Sequence, residues 1–288
     1  PNGIWRARAG SDTVEQFVAR PDAFFNGIAI TPDGKTLFAA SHVEGVVKID
    51  IASKSQQIVE AHEGVVLGGI DGLYVYHNSL IGIQNGTKAP RVVRAWLDPA
   101  QARVTRFAVL EQEHPESDLP LTGTIVGDDL YYVARSQLRA FEGRNIWPEE
   151  KLKDTIILRL PIEKATEAAS LLAMHRAEIQ AHIERDANWI ADTQAGEFVS
   201  ATRGKIRRMS REDVRTFFTG YFDGATYPQY EDIEPPVVRV SDDGSMGWVL
   251  SRMRVRRIKD GKETSFVYAG MMTYEKREGR WVRVANAS

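Results

Sequence analysis

Two segments in the first half of the chain carry side chains whose type and spacing suit metal chemistry. Asn26 precedes Gly27-Ile28, and Asp71 precedes Gly72-Leu73, so an amide and a carboxylate occupy the same place in two similar segments. Oxygen donors of this kind are the ligands that hard divalent cations such as Ca²⁺ prefer. The pair predicts a metal site formed by neighbouring repeats. The alternative is that Asn-Gly and Asp-Gly are ordinary turn dipeptides.

The elements that must position this pair form a repeat. A third, weaker copy is Thr122-Gly123-Thr124, so the glycines stand at 27, 72 and 123, at intervals of 45 and 51 residues. Each copy is followed by a polar turn and a short apolar strand, and a repeat of roughly 40–50 residues with this content is typical of propeller blades. Residues 1–162 are therefore predicted to be a partial β-propeller.

The sequence does not determine how such a propeller would close. Closed propellers have about 4–8 blades, and a group of about three would leave strand edges and an apolar face exposed. The segment is expected to be the C-terminal part of a larger propeller. Either further blades belong to the natural protein, or another chain or the second domain covers the open side.

The first half resembles the senescence marker protein and gluconolactonase family of six-bladed propellers. Asn26-Gly27-Ile28 with Pro32-Asp33-Gly34, and Asp71-Gly72-Leu73, carry the resemblance. The resemblance implies that Asn26 is a metal ligand and that Asp71 is a ligand and catalytic base. It also implies calcium as the most frequent divalent metal, and hydrolysis of a lactone or related small ester. The glutamate that the family takes from earlier blades has no counterpart in this chain.

The second half has helical periodicity first and long strands afterwards. Apolar residues recur at three- and four-residue spacing between Ala165 and Thr193, and Ser210 precedes acidic residues as an N-cap does. Four predicted strands follow between Val237 and Val284, joined by turns that end in Gly244, Gly261 and Gly279. Residues 163–288 are thus predicted to be an α+β domain, and the whole chain to be mainly β plus α+β.

This order of elements resembles the cone-shaped fold of the nuclear transport factor and ketosteroid isomerase superfamily, in its SnoaL-like branch. Leu171-Leu172 with His175, Gly204, Pro235-Pro236-Val237, Trp248 and Gly279-Arg280-Trp281 carry the resemblance. It implies a cone-shaped α+β barrel that encloses a pocket. Six residues are expected to line that pocket: His175, His182, Asp186, Trp189, Tyr230 and Tyr268. His182 and Asp186, four residues apart, would form a hydrogen-bonded pair. The alternative is that the histidines are buried and satisfied by neighbours.

Composition narrows the classes of partner. The net charge is −2 and cysteine is absent, which argues against a nucleic-acid surface, an anionic membrane surface and any thiol chemistry. No apolar run reaches the roughly 20 residues of a membrane span. The expected partner is a small molecule, with a homodimer formed through the cone domain. The compartment stays open among soluble ones: periplasmic, secreted or cytoplasmic.

Three functions follow in order of preference. The first is metal-dependent hydrolysis of a lactone or small ester by the first domain, with Asp71 as catalytic residue and Asn26 and Asp71 on the metal. The second is non-catalytic binding of a small molecule in the cone pocket. The third is isomerase-like chemistry in that pocket. The sequence leaves open whether the protein is an enzyme.

Overall fold

The computed structural model describes residues 3–142 and 145–288 and divides into two compact units, Pro1–Thr166 and Glu167–Ser288. The sequence places the division at 162, close to this boundary. No helix in the described part of the chain is long and apolar enough to cross a membrane.

The first unit consists of short strands, because its sequence alternates apolar runs with glycine and aspartate turns. Its strands are β1 Gly3–Ala7, β2 Val14–Ala19, β3 Phe25–Ile30, β4 Thr36–Ser41, β5 Gly45–Asp50, β6 Gln56–Ile58, β7 Ile70–Tyr76, β8 Ser79–Gln84, β9 Arg91–Leu97, β10 Val104–Gln112, β11 Gly123–Val126, β12 Asp129–Arg135, β13 Phe141–Glu142, β14 Asn145–Ile146 and β15 Ile156–Pro161.

These strands form consecutive antiparallel sheets. Strands β3 to β6 and strands β7 to β10 each form a four-stranded sheet in chain order, while β11, β12 and β15 form a three-stranded one. Strands β1 and β2 pair with each other, as do β13 and β14. The predicted repeats are therefore real as sheets, and each repeat glycine lies in the first strand of its sheet. Within the described residues the sheets do not close into a propeller.

Apolar side chains fill the spaces between successive sheets of the first unit. Phe17 shares a buried cluster with Ile49 of the first four-stranded sheet. Between the two four-stranded sheets, Phe38 of the first sheet is buried against the same cluster as Leu80 of the second. Burial at such contacts contributes roughly 25 cal/mol per Å² of apolar surface, so face-to-face packing of the sheets holds the unit together.

The repeat glycines have a steric role at the first strands. A Cβ atom on Gly27 would lie 2.6 Å from the backbone oxygen of Asp71, and one on Gly72 would lie 3.0 Å from that of Leu121. A side chain larger than hydrogen at Gly27 would collide with the next sheet. At Gly27, the position marked by the repeat is therefore one where two successive first strands approach each other closely.

The second unit combines three helices with a curved sheet. Its elements are α1 Ile162–Glu184, which begins before the boundary, α2 Ala187–Asp192, β16 Gln194–Thr202, β17 Lys205–Ser210, α3 Arg211–Phe222, β18 Ala225–Asp232, β19 Val237–Val240, β20 Met246–Lys259, β21 Lys262–Arg277 and β22 Arg280–Ala287. The sheet order is β17-β16-β22-β21-β20-β18, with β19 paired to β20. All pairs are antiparallel except β16 with β22.

The four predicted strands after Val237 and their glycine turns are confirmed. Gly244, Gly261 and Gly279 all have φ between 69° and 75°, a left-handed conformation that glycine adopts without steric cost. The helix predicted to continue to Thr193 is in fact interrupted. Arg185 has φ 62°, and Asp186 starts a new helix by accepting a hydrogen bond from the Trp189 amide at 2.8 Å.

The predicted start of α3 is also confirmed. The Ser210 hydroxyl accepts from the Asp213 amide, while the Asp213 carboxylate accepts from the Ser210 amide, which completes a capping box. The inner side of α3 is buried through Val214 and Phe222, which share a cluster with Val255 of the sheet. The helices therefore cover one face of the sheet, and the pockets described next lie among these elements.

Candidate functional site

A pocket with an empty volume of about 500 Å³, which includes open space at its mouth, lies in the second unit between α1 and the sheet. Most of its lining is apolar, supplied by α1, β18 and the long strands β20 and β21, with the last residues of the chain at one side. The lining includes His175, Glu178, Ile179, Tyr230, Val249, Ser251, Met253, Tyr268, Met271, Met272 and Asn286.

Two tyrosines supply the main polar groups of this pocket. The hydroxyl oxygens of Tyr230 on β18 and Tyr268 on β21 are 2.9 Å apart and share a hydrogen bond. Burial raises the pKa of Tyr268 to about 12, and it raises the pKa of Tyr230 well above its ordinary value. Both phenols are therefore protonated near neutral pH. One hydroxyl donates to the other, so one O–H remains to donate to a ligand.

His175 and Asp232 form the second polar group. The Nε2 atom of His175 lies 3.0 Å from each carboxylate oxygen of Asp232, and the His175 side chain is buried. A carboxylate oxygen accepts hydrogen bonds, so Nε2 of His175 donates to Asp232 and the carboxylate orients the ring. The sequence analysis missed Asp232, because it is 57 residues from His175 in the chain and no local pattern connects the two.

Glu178 is a further residue that sequence reasoning missed. Its carboxylate pairs with the Arg283 guanidinium at 2.8 Å, and Arg283 is 1% exposed. Arg283 also donates to the Ile190 carbonyl and lies over the Trp189 ring, 5.4 Å from its centre. The sequence could have identified Glu178 by its spacing, since it is one helical turn from both His175 and His182 and therefore lies on the same face of α1.

His182 lies next to the pocket rather than in its lining. Its ring stacks on Tyr230, with ring centres 4.5 Å apart, and contacts Phe218 and Phe222 edge-on. Its Nδ1 donates to the Glu178 backbone carbonyl at 2.9 Å. Burial lowers the pKa of His182, mainly through loss of hydration of the charged form. This is the alternative that the sequence left open for the histidines, a buried ring satisfied by its neighbours.

The expected hydrogen bond between His182 and Asp186 is replaced by other partners. The helix ends between the two residues, so the carboxylate of Asp186 caps α2 while the ring bonds to α1. Of the six residues expected to line the pocket, His175, Tyr230 and Tyr268 do so. Trp189 lies under the Arg283 guanidinium, and Asp186 is exposed.

Asn26 and Asp71 lie on the first strands, β3 and β7, of two successive sheets. Asn26 is exposed, whereas Asp71 is half-buried and accepts a hydrogen bond at 2.7 Å from the Asn85 side chain. The same Asn85 amide also donates to the Pro120 carbonyl at 2.9 Å. Within the described residues, no group of three or more histidine or acidic side chains is arranged to hold a metal ion. Because Ca²⁺ takes 6–8 oxygen ligands, Asn26 and Asp71 alone do not make up a calcium site.

Comparison with known proteins bears on the second unit. Residues 171–286 match the family model of the SnoaL-like domain, and this range contains all the pocket residues named above. The matched range includes no residue of the first unit. No curated protein matches the chain.

Solved structures of low identity also align with the chain. A ketosteroid isomerase-like protein from Erwinia carotovora atroseptica is 17% identical over 42% of this chain and 93% of its own, with a TM-score of 0.36. An NTF2-like protein with a cystatin-like fold from Novosphingobium aromaticivorans is 18% identical over 44% and 80%, with a TM-score of 0.34. An NTF2-like protein from Cytophaga hutchinsonii is 8% identical over 41% and 92%, with a TM-score of 0.35.

Proposed function

We propose that the second unit binds a small, mainly apolar molecule whose carbonyl or hydroxyl oxygen accepts a hydrogen bond from the tyrosine pair. The observation that carries this proposal is the buried Tyr230–Tyr268 hydrogen bond at the edge of an apolar pocket of about 500 Å³. A buried hydroxyl that donates to a ligand selects for ligands with an acceptor, because a ligand without one leaves the donor unsatisfied. The SnoaL-like match of residues 171–286 supports a ligand-binding role.

The test uses the naphthyl ketone prodan, whose fluorescence reports transfer into an apolar site. We expect saturable binding with a blue shift of the emission. The double change Tyr230→Phe/Tyr268→Phe removes both hydroxyls and keeps the rings, so it should weaken binding about tenfold, the value of roughly one hydrogen bond. The control is Phe217→Ala, a half-exposed residue that does not line this pocket. Equal affinity of wild type and the double variant would contradict the proposal.

A second candidate function is proton transfer at a carbon next to the carbonyl of such a ligand. The observation that favours it is the His175–Asp232 pair, which orients a histidine in the lining of the same pocket. In this reaction His175 takes a proton from the carbon while the tyrosine O–H donates to the enolate oxygen. The imidazolium then returns the proton to carbon, as an isomerase requires.

Deuterium exchange into 2-acetylnaphthalene, followed by NMR in D₂O, measures this step. The wild-type protein should accelerate exchange of the methyl protons, and His175→Gln should reduce the acceleration about a hundredfold, the low end for general-base catalysis. Asp232→Asn keeps the shape and removes the charge that orients the ring, so it should cause a smaller loss. Exchange at the buffer rate with wild-type protein would exclude the reaction for this ketone class.

For the first unit we propose metal-dependent hydrolysis of a lactone or small ester on a partial propeller, with Asn26 and Asp71 as ligands. The support is their equivalent position on the first strands of successive sheets, where Gly27 brings the two strands together. The remaining ligands would have to come from donors beyond these two side chains. Homodimer formation through the cone domain is likewise a proposal.

A further inference from the structure

A second pocket of the second unit has an empty volume of about 630 Å³, which includes open space at its mouth. It lies between α3, the β16–β17 hairpin and β22. The hairpin contributes Phe198 and Met209 to its walls, and α3 contributes Val214 and Phe218, all of them buried or half-buried. This part of the pocket therefore suits a flat apolar body.

The face of the β16–β17 hairpin that lines this pocket changes from apolar to polar towards the turn. Between Phe198 and Met209 the lining side chains are alternate residues, so they share one face of the hairpin. Phe198 is paired with Met209, and the next pair towards the turn is Ser200 with Arg207. Thr202, which also lines the pocket, follows beside the turn. A ligand that lies along this face contacts apolar groups at one end and a guanidinium at the other.

Arg207 is exposed, so its charge lies at the open side of the pocket. In the described part of the chain its side chain forms no ion pair or hydrogen bond, whereas the adjacent Arg208 pairs with Glu197 at 2.7 Å. The other two charged residues of the lining, Glu178 and Arg283, neutralise each other at 2.8 Å. Within the described lining, one positive charge therefore stays uncompensated, and it belongs to Arg207.

We propose that this second pocket binds an amphipathic carboxylic acid, with its carboxylate at Arg207 and its apolar ring system between the hairpin and α3. A guanidinium binds a carboxylate through two parallel N–H bonds. Ser200 lies directly opposite Arg207 on the same face, where Cβ atoms are about 5 Å apart. Its hydroxyl can therefore donate to the same carboxylate. Because this end of the pocket is open, the carboxylate keeps part of its hydration, which avoids the cost of burying an ion.

The experiment measures the affinity of the full chain for 2-naphthoate and for 2-naphthamide, which have nearly the same shape and differ in charge. Fluorescence titration and saturation-transfer NMR follow the binding. We expect 2-naphthoate to bind about fivefold more tightly, the value of a charge-assisted hydrogen bond that stays partly exposed to water. Added salt should reduce this preference. Arg207→Gln should remove the preference and leave the affinity for 2-naphthamide unchanged.

Three controls locate the binding. Arg208→Gln changes the adjacent arginine, whose side chain is on the opposite face of β17, and should keep the preference. Phe217→Ala, at a residue that is 47% exposed and lines this pocket, should weaken both probes severalfold and leave their ratio unchanged. Tyr230→Phe/Tyr268→Phe changes only the first pocket and should leave both affinities unchanged, since this inference does not depend on the ligand proposed there.

Four results would overturn the proposal. They are equal binding of the two probes to the wild-type protein, an equal loss of preference in Arg207→Gln and Arg208→Gln, a loss of 2-naphthoate binding in the double tyrosine variant, and the absence of binding by either probe. Arg207 and Arg208 are both exposed, so neither substitution is expected to disturb folding.

Discussion

At the residue scale, the interior of the second unit depends on polar side chains that have been matched with partners. Arg283 is tolerated at 1% exposure because Glu178 neutralises it and the Ile190 carbonyl accepts from it. Removing only one member of such a pair is costly, since it leaves a charge buried without compensation. His182 achieves burial in another way, by staying neutral among aromatic rings.

His182 should make folding sensitive to acid. Its pKa is lowered in the folded state, so as the pH falls below the ordinary histidine value of about 6.5 the unfolded chain takes up a proton that the folded chain does not. Stability present above that value is lost as the pH falls, by up to about 1.4 kcal/mol per pH unit for this one proton. Chemical unfolding at pH 7.5, 6.5 and 5.5 measures the slope.

His182→Phe keeps the aromatic contacts and removes the titrating group, so its free energy of unfolding should depend less on pH in this range. The matched control is His62→Phe, a change at an exposed histidine of the first unit, which should retain the wild-type slope. An unchanged slope in His182→Phe would show that other groups cause the acid sensitivity.

At the scale of elements, strands β3 and β7 hold Asn26 and Asp71 at equivalent positions of two successive sheets. The two strands approach each other closely at Gly27, whose Cβ would lie 2.6 Å from the Asp71 backbone oxygen. Asp71 is further oriented by Asn85, which bonds to the Pro120 carbonyl as well. A metal site at this place would therefore depend on how two neighbouring sheets pack, and a mutation of either strand would disturb it.

Calcium should raise the unfolding temperature if this site exists. A ligand that binds only the folded state stabilises it by about 2.7 kcal/mol at a hundred times its Kd. The stabilisation should vanish in Asp71→Asn, which retains an oxygen able to accept from Asn85 but removes the charge. Asp22→Asn changes an exposed carboxylate outside the site and should keep the wild-type response. The absence of any shift with Ca²⁺, Mg²⁺ or Mn²⁺ would argue against metal-dependent hydrolysis.

At the scale of the whole molecule, the two units carry different kinds of support. The second unit matches the SnoaL-like domain and holds two pockets with buried polar groups. The first unit is a series of antiparallel sheets whose resemblance to a propeller rests on its repeats and on the packing of successive sheets. The ligand-binding proposals therefore concern the second unit, and the hydrolytic proposal concerns the first.

The sequence by itself determined the features that arise from local interactions. Turn glycines fixed the ends of the long strands, and Ser210 with Asp213 fixed the start of α3, because caps and turns involve residues only a few positions apart. The repeated glycines likewise revealed successive sheets. Tyr230, Tyr268 and His175 were selected from helical spacing and from the resemblance to a cone-shaped fold.

Only the tertiary structure decided which polar groups meet. Asp232 reaches His175, and Arg283 reaches Glu178, across long stretches of chain. The parallel pairing of β16 with β22 is a further contact of this kind, and no local signal predicts it. Such contacts are set by how apolar faces of distant elements pack, and many pairings satisfy the same local pattern. The chemistry of both pockets therefore depended on the folded arrangement, whereas Asn26 and Asp71 could be selected as candidates because their repeat is written in the sequence.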